Sequence, residues 1–191
     1  MIDVPENSLK SDEEKWFLWY CEELHKEGIV EEVTRAETIN LSEPIYNIYQ
    51  RKKSNGTRSV MLAQIYTPDF KIVWGNKTPL KLACEFGTEN RPAEYALPQF
   101  FYHVDDRDRR VSTVEVKGSY IEGMESRHYS TMAKWVFQKT SVVINRIKVG
   151  NSTGTVFHRT FTPERFKLTD KTLKPRKIKF IPTSLKEYLE T

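Results

Sequence analysis

Two short stretches of alternating apolar and polar residues constrain the fold of this chain more than any other feature. They are 65-IYTPDF-70 and 113-TVEVKG-118. Because successive side chains of a strand point to opposite faces, Glu115 and Lys117 share one face and the neighbouring valines point into a core. The chain therefore requires a sheet with one buried face and one face that carries charge.

A first helix is predicted over residues 11–26. Ser11 is a good N-cap, Glu14 occupies the capping-box position, and Gly28 is a typical C-terminal stop. Apolar residues recur at helical spacing, which predicts that one face of this helix is buried. The apolar stripe consists of Phe17, Tyr20, Cys21 and Leu24.

The next elements are predicted to be strands joined by turns. One or two strands are expected within residues 29–53, and Asn55-Gly56 predicts a hairpin turn that pairs about 45–52 with 58–66. Beyond this hairpin we expect strands at 69–74, 112–117, 141–149 and 154–161, a helix at about 125–139 and a short C-terminal helix.

This order of elements is typical of an α/β fold with a central mixed sheet flanked by helices. A chain of 191 residues suits one domain with an appendage. We assign residues 1–170 to the domain and residues 171–191 to a basic C-terminal tail.

Composition excludes several classes of protein. No apolar run approaches the length of a membrane span, so no membrane partner is expected. The first residues, MIDVPENSLKSDEE, lack the basic and then apolar order of a signal peptide. Cys21 and Cys84 have neither metal-type spacing nor a disulfide framework, which fits a reducing compartment. We therefore expect a cytoplasmic protein.

Asp69, Glu115 and Lys117 have the chemistry of metal-assisted phosphodiester hydrolysis. Mg²⁺ prefers oxygen ligands and is usually held by one or two carboxylates together with water and phosphate oxygens. Asp69 and Glu115 on adjacent strands would supply the carboxylates, and the backbone carbonyl of Val116 a third oxygen. The amine of Lys117 is a compact point charge, suited to orienting the water or stabilising the phosphorus centre.

These residues resemble the signature of the PD-(D/E)XK nuclease superfamily. Pro68-Asp69 matches its first part, and Glu115-Val116-Lys117 matches its second. The wider forms, YTPDF and VEVKG, are similar to those of phage endonuclease I-type junction resolvases and of transposase endonuclease subunits. Together these motifs are much more specific than either alone.

In that group a glutamate of the first helix completes the site, often as S-x-x-E with Gly-Ile fourteen residues later. This chain has Ser11 and Glu14, followed at that distance by Gly28-Ile29. Two other interpretations stay open. Glu14 is also explained by capping alone, and Glu13 lies nearer the centre of the apolar stripe.

The resemblance implies a restriction-endonuclease-like domain and a metal-dependent DNA endonuclease, phage-encoded and acting on branched DNA in the host cytoplasm. It implies Mg²⁺, with Mn²⁺ as a substitute, and a homodimer that matches the symmetry of branched DNA. It assigns catalysis to Glu14, Asp69, Glu115 and Lys117, with the three carboxylates and the Val116 carbonyl as metal ligands. The alternatives are a nuclease that nicks duplex or transposon-end DNA in a larger complex, and an inactive module that binds DNA or protein.

The spacing of the two motifs departs from the family, in which the second motif follows one hairpin after the first. Here 46 positions separate Asp69 from Glu115. We therefore expect residues 75–112 to be an insertion that leaves the sheet and serves substrate or partner binding.

The distribution of charge favours a polyanionic partner for the second half of the chain. Residues 1–116 carry 15 basic and 20 acidic residues, whereas residues 117–191 carry 15 and 6. A solvated basic surface explains this excess equally well. The residues that we expect to contact DNA are Arg127, His128, Lys134, Lys174, Arg176 and Lys177.

Overall fold

A computed structural model of the protein describes residues 1–50, 55–87, 99–118, 124–169 and 172–191. In these ranges the chain has an α/β fold with a central mixed sheet and few helices. In chain order the strands are β1 (Ile2–Asp3), β2 (Val30–Arg35), β3 (Ile39–Ser42), β4 (Ile45–Gln50), β5 (Asn55–Met61), β6 (Gln64–Tyr66), β7 (Phe70–Trp74), β8 (Ala83–Glu85), β9 (Phe100–Val104), β10 (Arg110–Gly118) and β11 (Ile144–Val149). The helices are α1 (Asp12–Lys26), α2 (Met124–Thr140), α3 (Val156–Arg159) and α4 (Leu185–Glu190).

The central sheet has the strand order β1-β2-β7-β10-β9-β8, and β11 lies beside β10. β10 is antiparallel to β7 and β9 and parallel to β11. The side chain of Asn145 connects β9 and β11, because its amide group bonds the N–H and C=O of Phe101 and the carbonyl of Thr113. Two small ribbons, β3-β6 and β4-β5, form outside this sheet.

The two faces of the sheet are covered by different helices. α1 buries Phe17 and Tyr20 against one face, where they meet Phe70 and Phe100. Val114 and Val116 also belong to this main core. On the opposite face a smaller cluster joins Met132 and Val136 of α2 to Ile144 and Leu41. The alternation along β10 therefore places the valines and the charged residues on different faces, as predicted.

The predictions for α1 and α2 are confirmed. The hydroxyl of Ser11 caps α1 by accepting from the N–H of Glu14 at 3.2 Å, and Gly28 ends the helix at a φ of 70°. The apolar stripe is buried along its whole length. α2 covers the range expected from the apolar spacing, and among the described residues no helix is both long and apolar enough for a membrane crossing.

The predicted hairpin exists, but the position of its turn is wrong. Asn55 pairs with Gln50, and Gly56 pairs with Tyr49, so both residues lie inside β5. The connection falls at residues 51–54, outside the described residues. The Asn-Gly signal is local, whereas the pairing register also depends on the side chains of both strands.

The predicted strand at 154–161 is wrong, since this segment contains the helix α3. The buried residues of the segment include Val156, Phe157, Thr160 and Phe161, a spacing that is typical of one side of a helix. In a strand, adjacent Val156 and Phe157 would point to opposite faces. The hydroxyl of Thr160 also bonds the carbonyl of Val156 at 2.7 Å, as expected for helical backbone.

The expectation that residues 75–112 leave the sheet is also wrong for their described part. β8 and β9 lie in this segment and extend the central sheet, and β10 begins within it at Arg110. β8 and β9 have only three and five residues, too few for a clear periodic signal, which explains why they were not predicted.

The basic C-terminal segment packs against the domain in its described residues. Ile178, Phe180 and Leu185 contact the main core, and the ring of Tyr188 lies 6.5 Å from that of Phe161. α4 begins with a complete capping box between Ser184 and Glu187.

Candidate metal and phosphodiester site

The candidate site lies at one end of the central sheet. There β2 ends at Arg35 and β7 begins at Phe70, while β10 continues past Val114 to Gly118. The extra length of β10 leaves Glu115 and Lys117 beyond the paired part of β7. The N-terminus of α1 reaches the same end of the sheet, and Ser11, Glu13 and Glu14 line a cleft with the end of β10.

Asp69 is held directly against β10, despite the 46 positions that separate the two motifs. Its N–H donates to the carbonyl of Val114 at 3.0 Å, and its Oδ2 accepts from the N–H of Val116 at 2.8 Å. The contact between the two motifs therefore exists, and it is made through the backbone of β10.

The carboxyl group of Asp69 is in an unfavourable environment for a negative charge. Burial raises its pKa to about 6, and the negative charges of Glu115 and Glu14 act in the same direction. The N–H of Val116 and the amine of Lys117 oppose this shift only in part. A cation at this position would stabilise the ionised form.

Glu115 is bound on both of its oxygens. Lys117 Nζ lies 2.7 Å from Oε1, and the hydroxyl of Tyr66 donates to Oε2 at 3.1 Å. Burial raises the pKa of Tyr66, and the charge of Glu115 raises it further, so the phenol stays a donor. These contacts fix the orientation of the Glu115 carboxylate.

Glu14 reaches the site from the first turn of α1. Its side chain is buried, and Oε2 accepts from Arg35 Nη1 at 2.7 Å and from the N–H of Lys10 at 3.3 Å. The hydroxyl of Ser11 caps α1, whereas the Glu14 carboxylate binds Arg35 and the N–H of the residue before the N-cap. Of the two candidate helix glutamates, Glu13 and Glu14, it is Glu14 whose charge contributes to the raised pKa of Asp69.

Glu13 occupies the rim of the same cleft. A Cβ atom on Gly118 would lie 2.9 Å from Glu13 Oε1, so the close approach of this side chain depends on glycine at the end of β10. The cleft has a volume of about 270 Å³. It is lined by Ser11, Glu13, Glu14, Asp69, Val116, Lys117 and Gly118.

The donor set fits a hard divalent cation. A strand residue directs its N–H and C=O toward the same neighbour, so the Val116 carbonyl points to the side of Asp69, where the pairing with β7 has ended. In the described part of the chain, no three acidic, histidine or cysteine side chains form a closed ligand group. Asp69, Glu115 and the Val116 carbonyl offer the kind of oxygen donors that proteins use for Mg²⁺, and Glu14 as a further ligand stays a prediction.

The structure adds four residues that the sequence motifs did not single out. Arg35 neutralises Glu14. Burial raises the pKa of Tyr66 and of Tyr129, and the charge of Glu115 adds to both shifts. Arg146 on β11 is the strand-pairing partner of Glu115 on β10. The guanidinium of Arg146 lies 5.1 Å from the centre of the Tyr129 ring. Tyr66 is the first residue of YTPDF, but the positions of the other three follow only from contacts between distant segments.

The residues expected to contact DNA are divided between the two faces of the sheet. Arg127, His128 and Lys134 are exposed on α2. Lys174 and Lys177 are exposed in the C-terminal segment on the side of α1. The third residue of that segment, Arg176, is half-buried: it stacks on Trp16 and Phe166 and donates to the carbonyls of Phe166 and Leu168.

Comparisons of this chain with family models, with curated proteins and with solved structures found no match.

Proposed function

We propose that this protein is a divalent-metal-dependent DNA endonuclease of the PD-(D/E)XK type, with a restriction-endonuclease-like domain. One observation carries the proposal: the Asp69 carboxylate accepts a hydrogen bond from Val116, the middle residue of the Glu115-Val116-Lys117 motif. A family-type motif divided by 46 positions gains weight when its two parts meet, because a chance match has no reason to do so.

The chain's own residues divide the work as follows. Asp69, Glu115 and the Val116 carbonyl would hold Mg²⁺, and Glu14 adds negative charge behind Asp69. When bound, the cation would neutralise the developing charge on phosphate and lower the pKa of the attacking water. Lys117 keeps Glu115 oriented in the absence of substrate and places its ammonium group at the rim of the cleft, where a phosphate oxygen would approach.

The proposed substrate is branched or otherwise structured DNA, cut by a homodimer in the host cytoplasm of a phage-infected cell. This finer proposal rests on the likeness of YTPDF and VEVKG to junction resolvases. The basic excess after residue 116 supports a polyanionic substrate in general. Nicking of duplex or transposon-end DNA in a larger complex is the alternative within nucleases.

The proposal is tested by incubating the protein with a four-way junction and with supercoiled plasmid, with Mg²⁺, with Mn²⁺ or with EDTA. We expect cleavage only with a metal ion, and more of the junction than of a linear duplex. Glu115→Gln and Lys117→Ala should each lower the cleavage rate by at least about 100-fold, the scale of losing one charge-stabilising group.

Matched controls separate loss of chemistry from loss of folding. Lys26→Ala changes an exposed lysine at the far end of α1, and Glu31→Gln changes an exposed glutamate of β2; both should cut like wild type. If wild type cuts no DNA with either metal, the nuclease proposal fails. If the site variants cut as fast as the controls, the site is wrong, and salt-sensitive binding without cutting identifies a binding module.

A further inference from the structure

The ribbon formed by β4 and β5 presents apolar side chains to solvent. In the described part of the chain these two strands pair only with each other. An isolated two-stranded hairpin is marginally stable in water. A contiguous patch of exposed large apolar side chains normally indicates a binding surface. The exposed large side chains of the ribbon are Ile45, Tyr46, Ile48, Tyr49, Val60 and Met61.

The charge of this segment identifies the kind of partner. Residues 44–68 contain four basic residues and no acidic residue. The rest of the first 116 residues carries 11 basic and 20 acidic residues, so the segment is a cationic island in an acidic half. A segment of this charge attracts a polyanion, whereas two copies of it would repel each other because neither provides an acid.

The dimensions of the ribbon match a groove of duplex DNA. The major groove is about 12 Å wide and admits a two-stranded ribbon. Strands of six and seven residues extend roughly 20 Å, which is more than half of a helical turn. Asn47 and Arg58 form a directly opposed pair of polar groups, and the exposed Ile48 can contact thymine methyl groups.

The ribbon is attached to the candidate site. After β5 the chain enters β6, whose last residue, Tyr66, donates a hydrogen bond to Glu115. Asp69 follows three positions later and contacts Val116. β6 is held by pairing with β3, so the base of the ribbon is fixed beside the carboxylates. DNA bound by the ribbon would therefore lie alongside the cleft.

We infer that the β4-β5 ribbon is a DNA-binding arm that lies in a groove of the duplex flanking the phosphate that is cut. This inference rests on the proposed nuclease function and adds to it the element that grips the substrate. In this arm Arg58 contacts the phosphate wall, and the exposed apolar side chains contact the base edges and sugars in the groove.

The first test measures binding of a labelled four-way junction and a matching linear duplex in EDTA, which prevents cutting, over a range of salt concentrations. Arg58→Gln should reduce the slope of log affinity against log salt by about 0.9 and weaken binding roughly fivefold at 0.15 M salt. Arg107→Gln is the control, since it removes an equally exposed arginine from the turn between β9 and β10.

The outcomes separate this inference from the proposed function. If wild type binds and cuts DNA but Arg58→Gln matches Arg107→Gln in affinity and slope, the arm is refuted and the nuclease stands. If wild type neither binds nor cuts DNA, both fail.

The second test locates the ribbon on the DNA. Both natural cysteines are buried, so Ile48→Cys introduces a thiol that can be labelled selectively with a DNA-cleaving iron chelate. Scission should cluster within about one helical turn of the site where the unlabelled enzyme cuts, and the label on Arg107→Cys should give no such cluster. Scission that is dispersed or absent overturns the inference.

A self-association surface is the rival occupant, and it has its own signature. Ile48→Ser would then convert a dimer to monomers in sedimentation while leaving the affinity of each subunit for the junction unchanged. The DNA-binding arm predicts the reverse: weaker junction binding at an unchanged oligomeric state.

Discussion

Asp69 and Asp105 are aspartates at opposite ends of the central sheet, and their environments are opposite as well. Partial burial raises the pKa of Asp105, but the N–H groups of Arg109 and Arg107 and the Arg109 guanidinium lower it to about 2. At the other end, burial and neighbouring negative charge raise the pKa of Asp69 to about 6. Asp105 completes the turn between β9 and β10, whereas Asp69 faces the negative charges of Glu115 and Glu14, which a bound cation would offset.

The difference lies in the partners that each carboxylate has. Asp105 accepts from two backbone N–H groups of its own loop and pairs with Arg109 at 2.8 Å. Asp69 accepts from one N–H, and Lys117, whose charge lowers the pKa of Asp69, is paired with Glu115. Perturbed acids that face a cleft and like charges are typical of functional sites.

The largest expected effect concerns catalysis. Asp69→Asn should reduce Mg²⁺-dependent junction cleavage by at least about 100-fold, because it replaces a charged ligand by a neutral amide. The matched change at the other end, Asp105→Asn, should leave the cleavage rate per folded molecule unchanged. Equal rates for both variants in a gel-based cleavage assay would remove the functional distinction between the two acids.

The same pair of variants should affect stability in opposite directions. At pH 7 without metal, Asp69→Asn removes a charge that burial and Glu115 disfavour, so its Tm should rise by a few degrees. Asp105→Asn removes a charge that its loop stabilises, so its Tm should fall. Thermal unfolding followed by circular dichroism checks this prediction, and a fall for both variants would contradict it.

The pH dependence of stability should differ in the same sense. A raised pKa means that folded Asp69 binds a proton that the unfolded chain has lost, so its contribution to the free energy of unfolding decreases from about pH 4 to about pH 6. The lowered pKa of Asp105 gives a contribution that is present above about pH 4 and is lost as the pH falls toward about 2.

Denaturant unfolding of wild type and both variants across this pH range separates the two contributions. The difference between wild type and Asp69→Asn should change between pH 4 and 6, and the difference for Asp105→Asn should change below pH 4. If the free energies of unfolding of wild type and Asp69→Asn run parallel between pH 4 and 6, the pKa of Asp69 is not raised in the folded protein.

A smaller effect is expected from Tyr66→Phe. The variant keeps the ring but removes the donor to Glu115 Oε2, which should lower the free energy of unfolding by about 1.5 kcal/mol. Cleavage should fall only a few-fold, since Lys117 still orients the carboxylate. Tyr102→Phe, on β9, is the control, and an equal loss for both would mean that the contact to Glu115 has no specific value.

Local patterns predicted those parts of the molecule whose signals lie within one element. The cap at Ser11, the stripe of α1 and the two faces of β10 depend on residues a few positions apart, and the structure has them as expected. Adjacency of Asp69 to Val116 was expected from the motifs, although physical reasoning on spacing alone had no means to bring them together.

The remaining features depend on long-range pairing. Arg35 and Arg146 reach the site because β2 and β11 happen to end or pair there, and no local pattern encodes that register. The strands β8 and β9 and the helix α3 were missed for a related reason. Each is short, so burial against the rest of the chain decides its conformation more than its own periodicity does.

The most direct measurement is anomalous X-ray scattering from crystals soaked in Mn²⁺, collected for wild type and for Asp69→Asn. A divalent-cation site predicts a peak bounded by Asp69, Glu115 and the Val116 carbonyl in wild type, and no peak there in the variant. Wild-type crystals at millimolar Mn²⁺ with no peak at this position would contradict the assignment of the site.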